Sequence, residues 1–229
     1  MLSEVLHVVK SGKDATVYCC RTADALGGAL VAAKVYHRLE VRGFKNDAPY
    51  QANRLRGDKV RRQRLALEKK STYGRTVQLG LWVRSEFETM KALYAARADV
   101  PRPIACCPGA VLMEFVGDLD GAAPMLSMVQ LSRGEADRLW RRIVDNIRLW
   151  LAADRIHADL SPYNVLYWRG EIRVIDFPQA VDPRFNTDAR RLLERDIANM
   201  ARYFARFGVE ADSSRVAHAL WSSFVRSAL

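Results

Sequence analysis

Five polar side chains stand out because of where they sit in the sequence. Lys34 lies inside the apolar run VAAKVY. A buried, unpaired ammonium is costly, so it calls for an anionic partner. Taken alone, it also reads as an edge-strand lysine facing water. Glu86, on the next helical stretch, would supply the partner in a strand-to-helix ion pair. Asp159 precedes Asn164 by five positions in IHADLSPYN, with Pro162 stiffening the segment between them. An aspartate there would accept or orient the proton of an attacking hydroxyl. The asparagine would offer a carbonyl oxygen to a metal. Asp176, in VIDF, adds a second oxygen donor. Two side-chain oxygens, completed by phosphate and water, suit Mg²⁺.

The Asp159–Asn164 interval matches the H-x-D-x-x-x-x-N spacing of a kinase catalytic loop. As a lone string it is weak. The ordered set is more specific, because each residue must also fall on the right element. A phosphate-binding turn is harder to read. SGKDATVY, residues 11–18, has only Gly12 and no G-x-G-x-x-G; Ser11, Lys13 and backbone N–H groups around Gly12 could still cradle phosphate. No Walker A string occurs.

Positioning these residues requires a scaffold, and the hydrophobic pattern supplies one. Residues 4–9, 15–21 and 29–36 are short apolar or β-branched runs separated by turn residues, which predicts an antiparallel meander. Apolar positions 79, 82–83, 87, 90, 93 and 94 predict a helix over about 77–97, ended by Pro101 and Pro103. Residues 110–116 predict another strand, and Gly117 and Gly121 a hinge. A helix over 135–153 follows, then a hairpin of NVLYW and EIRVIDF around Arg169-Gly170 that places Asp176 at the end of its second strand. Residues from about 188 onward read as helical. The expected fold class is α+β.

The chain has 229 residues, 49% apolar and 27% charged, as in ordinary globular proteins. Its net charge of +10 points to an anionic partner or to a solvated basic face. The charge is uneven: Arg38–Arg75 holds 12 Lys/Arg and four acids, leaving the rest at +2. No apolar run is long enough to span a membrane, and the N-terminus does not read as a secretory signal. The cysteines form two adjacent pairs, Cys19-Cys20 and Cys106-Cys107, expected to be buried free thiols rather than zinc ligands.

With these residues in place, the chain resembles the RIO family of atypical serine/threonine protein kinases over nearly its whole length. SGKDATVY looks like that family's shortened nucleotide loop and VAAKVY like its lysine strand. LWVRSEFETMKALY looks like its glutamate helix, which puts the pairing role on Glu86 rather than Glu88. VPRPI and VLMEFVGD resemble its strand and hinge, and HADLSPYN and VIDFPQAV its catalytic and metal loops. Ala158 stands where typical protein kinases have Arg. The nucleotide loop is closest to the first subfamily and DFPQ to the second.

The resemblance implies a two-lobed kinase-like fold, with residues 1–116 as the N-lobe and 117–229 as the C-lobe. It implies ATP bound by Ser11, Gly12, Lys13, Val17 and Lys34, with Glu86 holding the lysine and adenine near Glu114 and Val116. Asp159 would be the base or orienter, and Asn164 and Asp176 would hold Mg²⁺ or Mn²⁺. Phosphorylation of protein Ser/Thr, including autophosphorylation, is the expected activity, in the cytoplasm. The alternatives are an ATPase switch on a ribonucleoprotein, working through a phospho-Asp176, and a non-enzymatic binder of RNA or an acidic protein. The basic 38–75 segment reads as an insertion that recruits an RNA-containing or acidic partner.

Overall fold

A computed structural model describes residues 2–23, 28–37 and 72–227, with side chains from Leu79 onward in the last stretch. The basic segment therefore lies outside the described residues as far as Ser71. Two compact units emerge: Met1–Glu88 with Arg102–Asp118, and Thr89–Pro101 with Leu119–Leu229. The sequence reading placed its boundary after Val116.

The first unit is built on an antiparallel five-stranded sheet in the order β1-β2-β3-β5-β4. Its strands are β1 (Leu2–Ser11), β2 (Ala15–Thr22), β3 (Leu30–Tyr36), β4 (Pro103–Cys107) and β5 (Ala110–Glu114). The meander β1-β2-β3 follows the three apolar runs. Lys34 pairs in register with Val17 of β2 and Val111 of β5, so its strand is internal and the edge-lysine reading fails. The core here is compact: Cys20, Val31, Ala33 and Leu112, with Tyr18, Ile104 and Ala105 packed against them. Strand β1 forms one edge and carries three register shifts. Such irregularities blunt an edge against pairing with other chains.

Strand β4 was not expected from the residue pattern, because Pro101 and Pro103 read only as a helix stop. Proline is tolerated at the first residue of an edge strand, and Pro103 occupies that position. Cys106 and Cys107 end this strand and are exposed, which corrects the expectation of four buried thiols; Cys19 and Cys20 are buried. The expected hinge glycines fall in two short strand segments, β6 (Gly117–Asp118) and β7 (Gly121–Ala122).

Helix α1 (Thr72–Ala95) begins earlier than the apolar pattern suggested. Its buried stripe runs through Val83, Glu86, Met90 and Leu93 at helical spacing. One member of that stripe is a glutamate.

The second unit contains α2 (Arg133–Ala152), β8 (Val165–Trp168), β9 (Glu171–Val174), α3 (Ala189–Ala205) and α4 (Ser213–Ser227). Helix α2 starts at a capping box: the Ser132 hydroxyl accepts from the Glu135 N–H at 3.3 Å, and the Ser132 N–H donates to Glu135 at 3.2 Å. The β8–β9 hairpin turns at Arg169 and Gly170, with φ of 51° and 84°, a geometry that suits the strand twist. Its core includes Ile143, Ile147, Trp150, Phe177, Ile197 and Phe204, all at most 2% exposed. Burying each such side chain is worth roughly 1.5–3 kcal/mol. Within this core Asn146 is fully buried yet satisfied: its amide accepts from the Asp99 N–H at 2.6 Å and donates to the Asp99 carboxylate at 2.7 Å.

Candidate active site

In the first unit, the Lys34 ammonium donates to Glu86 Oε1 at 2.7 Å. Lys34 is 9% exposed and Glu86 2%. The Lys34 ammonium also lies 5.1 Å from the centre of the Tyr36 ring, two residues along the same strand face. The ammonium is thus fixed by a carboxylate from α1 and an aromatic face from β3. Charge-assisted bonds of this length are among the stronger hydrogen bonds in proteins.

The expected phosphate turn, residues 11–15, is a tight connection between β1 and β2. The Gly12 N–H donates to Ala15 O at 3.0 Å, so this amide is used inside the turn. Ser11 and Lys13 are exposed. Val17 sits beside Lys34 across the β2–β3 ladder. Glu114 ends β5, where its N–H donates to Arg102 O at 2.8 Å and its carboxylate accepts from the Arg102 N–H at 3.0 Å. Val116 lies just beyond that strand.

The second unit brings Asp159, Asn164 and Asp176 together. The Asn164 amide nitrogen donates to Asp159 O at 2.9 Å, and the Ile175 N–H donates to Asn164 O at 2.9 Å. His157 Nε2 donates to Ile175 O across 3.1 Å, and its ring packs 4.6 Å from Phe177. The two residues flanking Asp176 are therefore anchored to the 157–164 loop. Asp176 itself has φ of 73°, and it lies in a loop beyond β9 rather than at the strand's end as the sequence suggested. The Asp159 carboxyl is pushed above its usual range, first by desolvation and then by the Asp176 charge; Arg195 and the Asn164 amide pull it back.

This grouping fits a divalent cation. Its donors are all oxygen, the choice of a hard ion. The bond from the Asn164 nitrogen to Asp159 O leaves the amide oxygen as the face available to a metal. A carboxyl whose proton affinity is raised by a neighbouring carboxylate marks a place short of positive charge.

The sequence reading missed the residues that hold this loop. Asp196 of α3, 2% exposed, accepts from the Ala158 N–H at 2.8 Å and the Leu160 N–H at 3.1 Å. Those two amides flank Asp159. Arg195 donates to Ala158 O, and Asn199 donates to Leu160 O at 3.3 Å. Ala158 has φ of 63°, a left-handed conformation costing roughly 1–2 kcal/mol for a non-glycine residue. The α3 bonds keep it there. Burial raises the Asp196 carboxyl to about 7, against the pull of the two N–H bonds and Arg195. The only trace of this in sequence is a carboxylate on the apolar face of a helix, at Leu192, Leu193, Asp196 and Ile197.

A family model described as the RIO domain matches residues 16–217. The chain belongs to the RIO family. Among curated RIO relatives, a serine/threonine-protein kinase RIO1 from Chaetomium thermophilum is 29% identical over 228 residues, covering 95% of this chain and 42% of that protein. A RIO-type serine/threonine-protein kinase Rio1 from Haloferax volcanii is 34% identical over 206 residues, covering 89% of this chain and 64% of that one. The chain thus spans less than two thirds of each relative. The Rio2 kinase of Chaetomium thermophilum, solved as an ADP/Mg²⁺-phosphoaspartate complex, shares the fold with a TM-score of 0.66 at 20% identity, over 93% of this chain and 61% of that one. The RIO fold is therefore the kinase-like α+β architecture expected from the sequence.

Proposed function

We propose that this RIO-family chain is an ATP- and Mg²⁺-dependent serine/threonine protein kinase that also phosphorylates itself. The observation that carries the reading is the buried Lys34–Glu86 pair at 2.7 Å. A buried ion pair is a poor device for stability alone, so its retention in an apolar setting suits a functional lysine. Lys34 would contact the α/β-phosphates of ATP, and Glu86 would hold it in place. Asp159 would orient the attacking hydroxyl and take its proton. Asn164 and Asp176 would hold Mg²⁺, which when bound neutralises developing phosphate charge. Ser11, Lys13 and Val17 would line the nucleotide, with Glu114 and Val116 toward the base. Catalysis by such a set is mostly positioning and electrostatic stabilisation.

The names of the curated relatives, all serine/threonine kinases, support the same activity. Among the described residues no helix is long and apolar enough to cross a membrane. We take the setting to be cytoplasmic and the partner of the basic 38–75 segment to be an acidic or RNA-containing protein assembly. The test is Asp159→Asn. Phosphoryl transfer to a generic protein substrate should fall by about a hundredfold or more while ATP binding is kept. Wild-type rates of radiolabel transfer by the variant would overturn the assignment.

A second reading has its own support. The Rio2 kinase with this fold was captured with a phosphoaspartate. An ATPase switch through phospho-Asp176 would leave a hydroxylamine-labile label on the protein. An acid-stable label supports Ser/Thr transfer instead.

A further inference from the structure

The turn proposed to meet the nucleotide phosphates is wired to an imidazole. Ser11 Oγ lies 3.2 Å from Thr16 Oγ1, and Thr16 Oγ1 lies 2.9 Å from His37 Nε2. On its other side, His37 Nδ1 lies 3.2 Å from the carbonyl oxygen of Lys13, and the His37 N–H donates to Asp14 O at 3.0 Å. One residue after β3 therefore grips the turn at Lys13, Asp14 and Thr16. Thr16 is 9% exposed, so the middle of the chain is shielded, while Ser11 at its end is open to solvent.

The proton inventory fixes how this chain must run. A carbonyl oxygen only accepts, so His37 Nδ1 carries a proton in every state that keeps the Lys13 contact. In the neutral ring, Nε2 is then bare and accepts from the Thr16 hydroxyl. The Ser11 hydroxyl then donates to Thr16 Oγ1, and Ser11 presents only lone pairs to the outside. That is the wrong polarity for a phosphate oxygen. In the imidazolium, Nε2–H donates to Thr16, Thr16 donates to Ser11, and the Ser11 proton is released outward. No heavy-atom bond changes; the ring gains one proton from solvent, and two hydroxyl protons swing to new partners.

We propose that Ser11, Thr16 and His37 form a relay whose polarity is set by His37 protonation, making Ser11 a donor to nucleotide phosphate only in the protonated state. His37 is a positioning residue here, acting on the ligand through Thr16 and Ser11. The identity of the ligand rests on the kinase reading above. Among the described residues, the charged and titratable groups on the surrounding elements are Lys10 of β1, Lys13 and Asp14 of the turn, and Lys34 and Tyr36 of β3. Cys107 completes the set, because the Tyr36 N–H donates to Gly109 O at 2.8 Å and brings the β4–β5 turn alongside. Among these residue types only imidazole ordinarily changes charge across roughly pH 5 to 8. Linkage makes the effect reciprocal: bound phosphate holds the proton on His37.

The test is the affinity of the full chain for Mg·ADP by calorimetry, at about pH 5.5 and about pH 8, the interval in which imidazole titrates. Wild-type affinity should fall about fivefold more than that of His37→Gln over this interval, the lower end of typical coupling. Thr16→Val keeps the imidazole charge but cuts the relay, and it should lose the excess fall. Equal falls in wild type and His37→Gln would overturn the proposal. So would a Thr16→Val variant that keeps the wild-type fall, since distant charge alone would then suffice. Absence of Mg·ADP binding at both pH values would overturn the nucleotide reading instead. The relay is then judged without ligand by ¹⁵N NMR of His37: the Nδ1–H tautomer at high pH supports it, and the Nε2–H tautomer overturns it.

Discussion

The two units fix their candidate functional groups by different means. In the first, Lys34 is held through its own charge, by a carboxylate buried on α1. In the second, the backbone on either side of Asp159 is held instead. Asp196 takes the amides of residues 158 and 160, while Arg195 and Asn199 take their carbonyls. An ammonium that contacts phosphate can keep a permanent counter-charge. A carboxylate that must exchange a proton cannot be clamped by a strong donor without losing its basicity. Gripping the main chain places such a group while leaving its acidity open.

This contrast is open to mutation. The largest effect is expected for Glu86→Ala, which removes the carboxylate paired with a buried ammonium and should cost about 3–5 kcal/mol in urea unfolding. Replacing both partners together, Lys34→Met with Glu86→Leu, should recover most of that loss. A single-variant cost below about 1 kcal/mol would place the pair among weakly coupled surface ions.

Next is Asp196→Asn, which keeps one acceptor and sets an NH₂ group against the second amide. The expected cost is roughly 1–3 kcal/mol, with slower phosphoryl transfer although the residue touches no substrate. The Asp196 carboxyl sits higher in the fold, at about 7, than the 3.8 of an ordinary aspartate. Its stabilising contribution is therefore full below the unfolded carboxyl range and is lost as pH rises through about 7. The substitution should thus cost more at acid pH than at neutral pH when melting is followed across that range. A cost that grew with pH would reverse the argument.

The smallest effect is expected for Ala158→Gly. With φ of 63° at this position, glycine should relieve roughly 1–2 kcal/mol of strain, opposed by about 0.5–1 kcal/mol from the greater freedom of the unfolded chain. A melting temperature equal to or slightly above that of wild type is expected. A marked drop would show that the Ala158 methyl packs usefully and that the conformation is not strained.

Much of the first unit was legible in the sequence. Strands β2 and β3 are apolar runs with turn residues between them, and Lys34 stood out because its neighbours are apolar. Glu86 followed as the carboxylate that could meet it. Strand β4 was hidden from the residue pattern, though not from the family resemblance of VPRPI, because a proline at a strand's first residue reads as a terminator before it reads as an edge. The second unit was legible in its elements and in its D-x-x-x-x-N loop, but not in what supports that loop. Asp196 lies 37 residues beyond Asp159, and nothing in local periodicity says which backbone a buried helical carboxylate will meet. The Ser132–Glu135 capping box, by contrast, was written in the sequence as S-x-x-E and would have set the start of α2 at the right turn.

The division of the four thiols gives the first unit a chemical clock. Burial pushes the Cys19 and Cys20 thiols up, and Cys20 belongs to the core with Val31, Ala33 and Leu112. Cys106 and Cys107 are exposed on the edge strand of the same sheet. An alkylating reagent should therefore add two labels at once and two more only when β2 leaves its neighbours. The delay between the two mass steps would measure how often this sheet opens, without a probe being introduced.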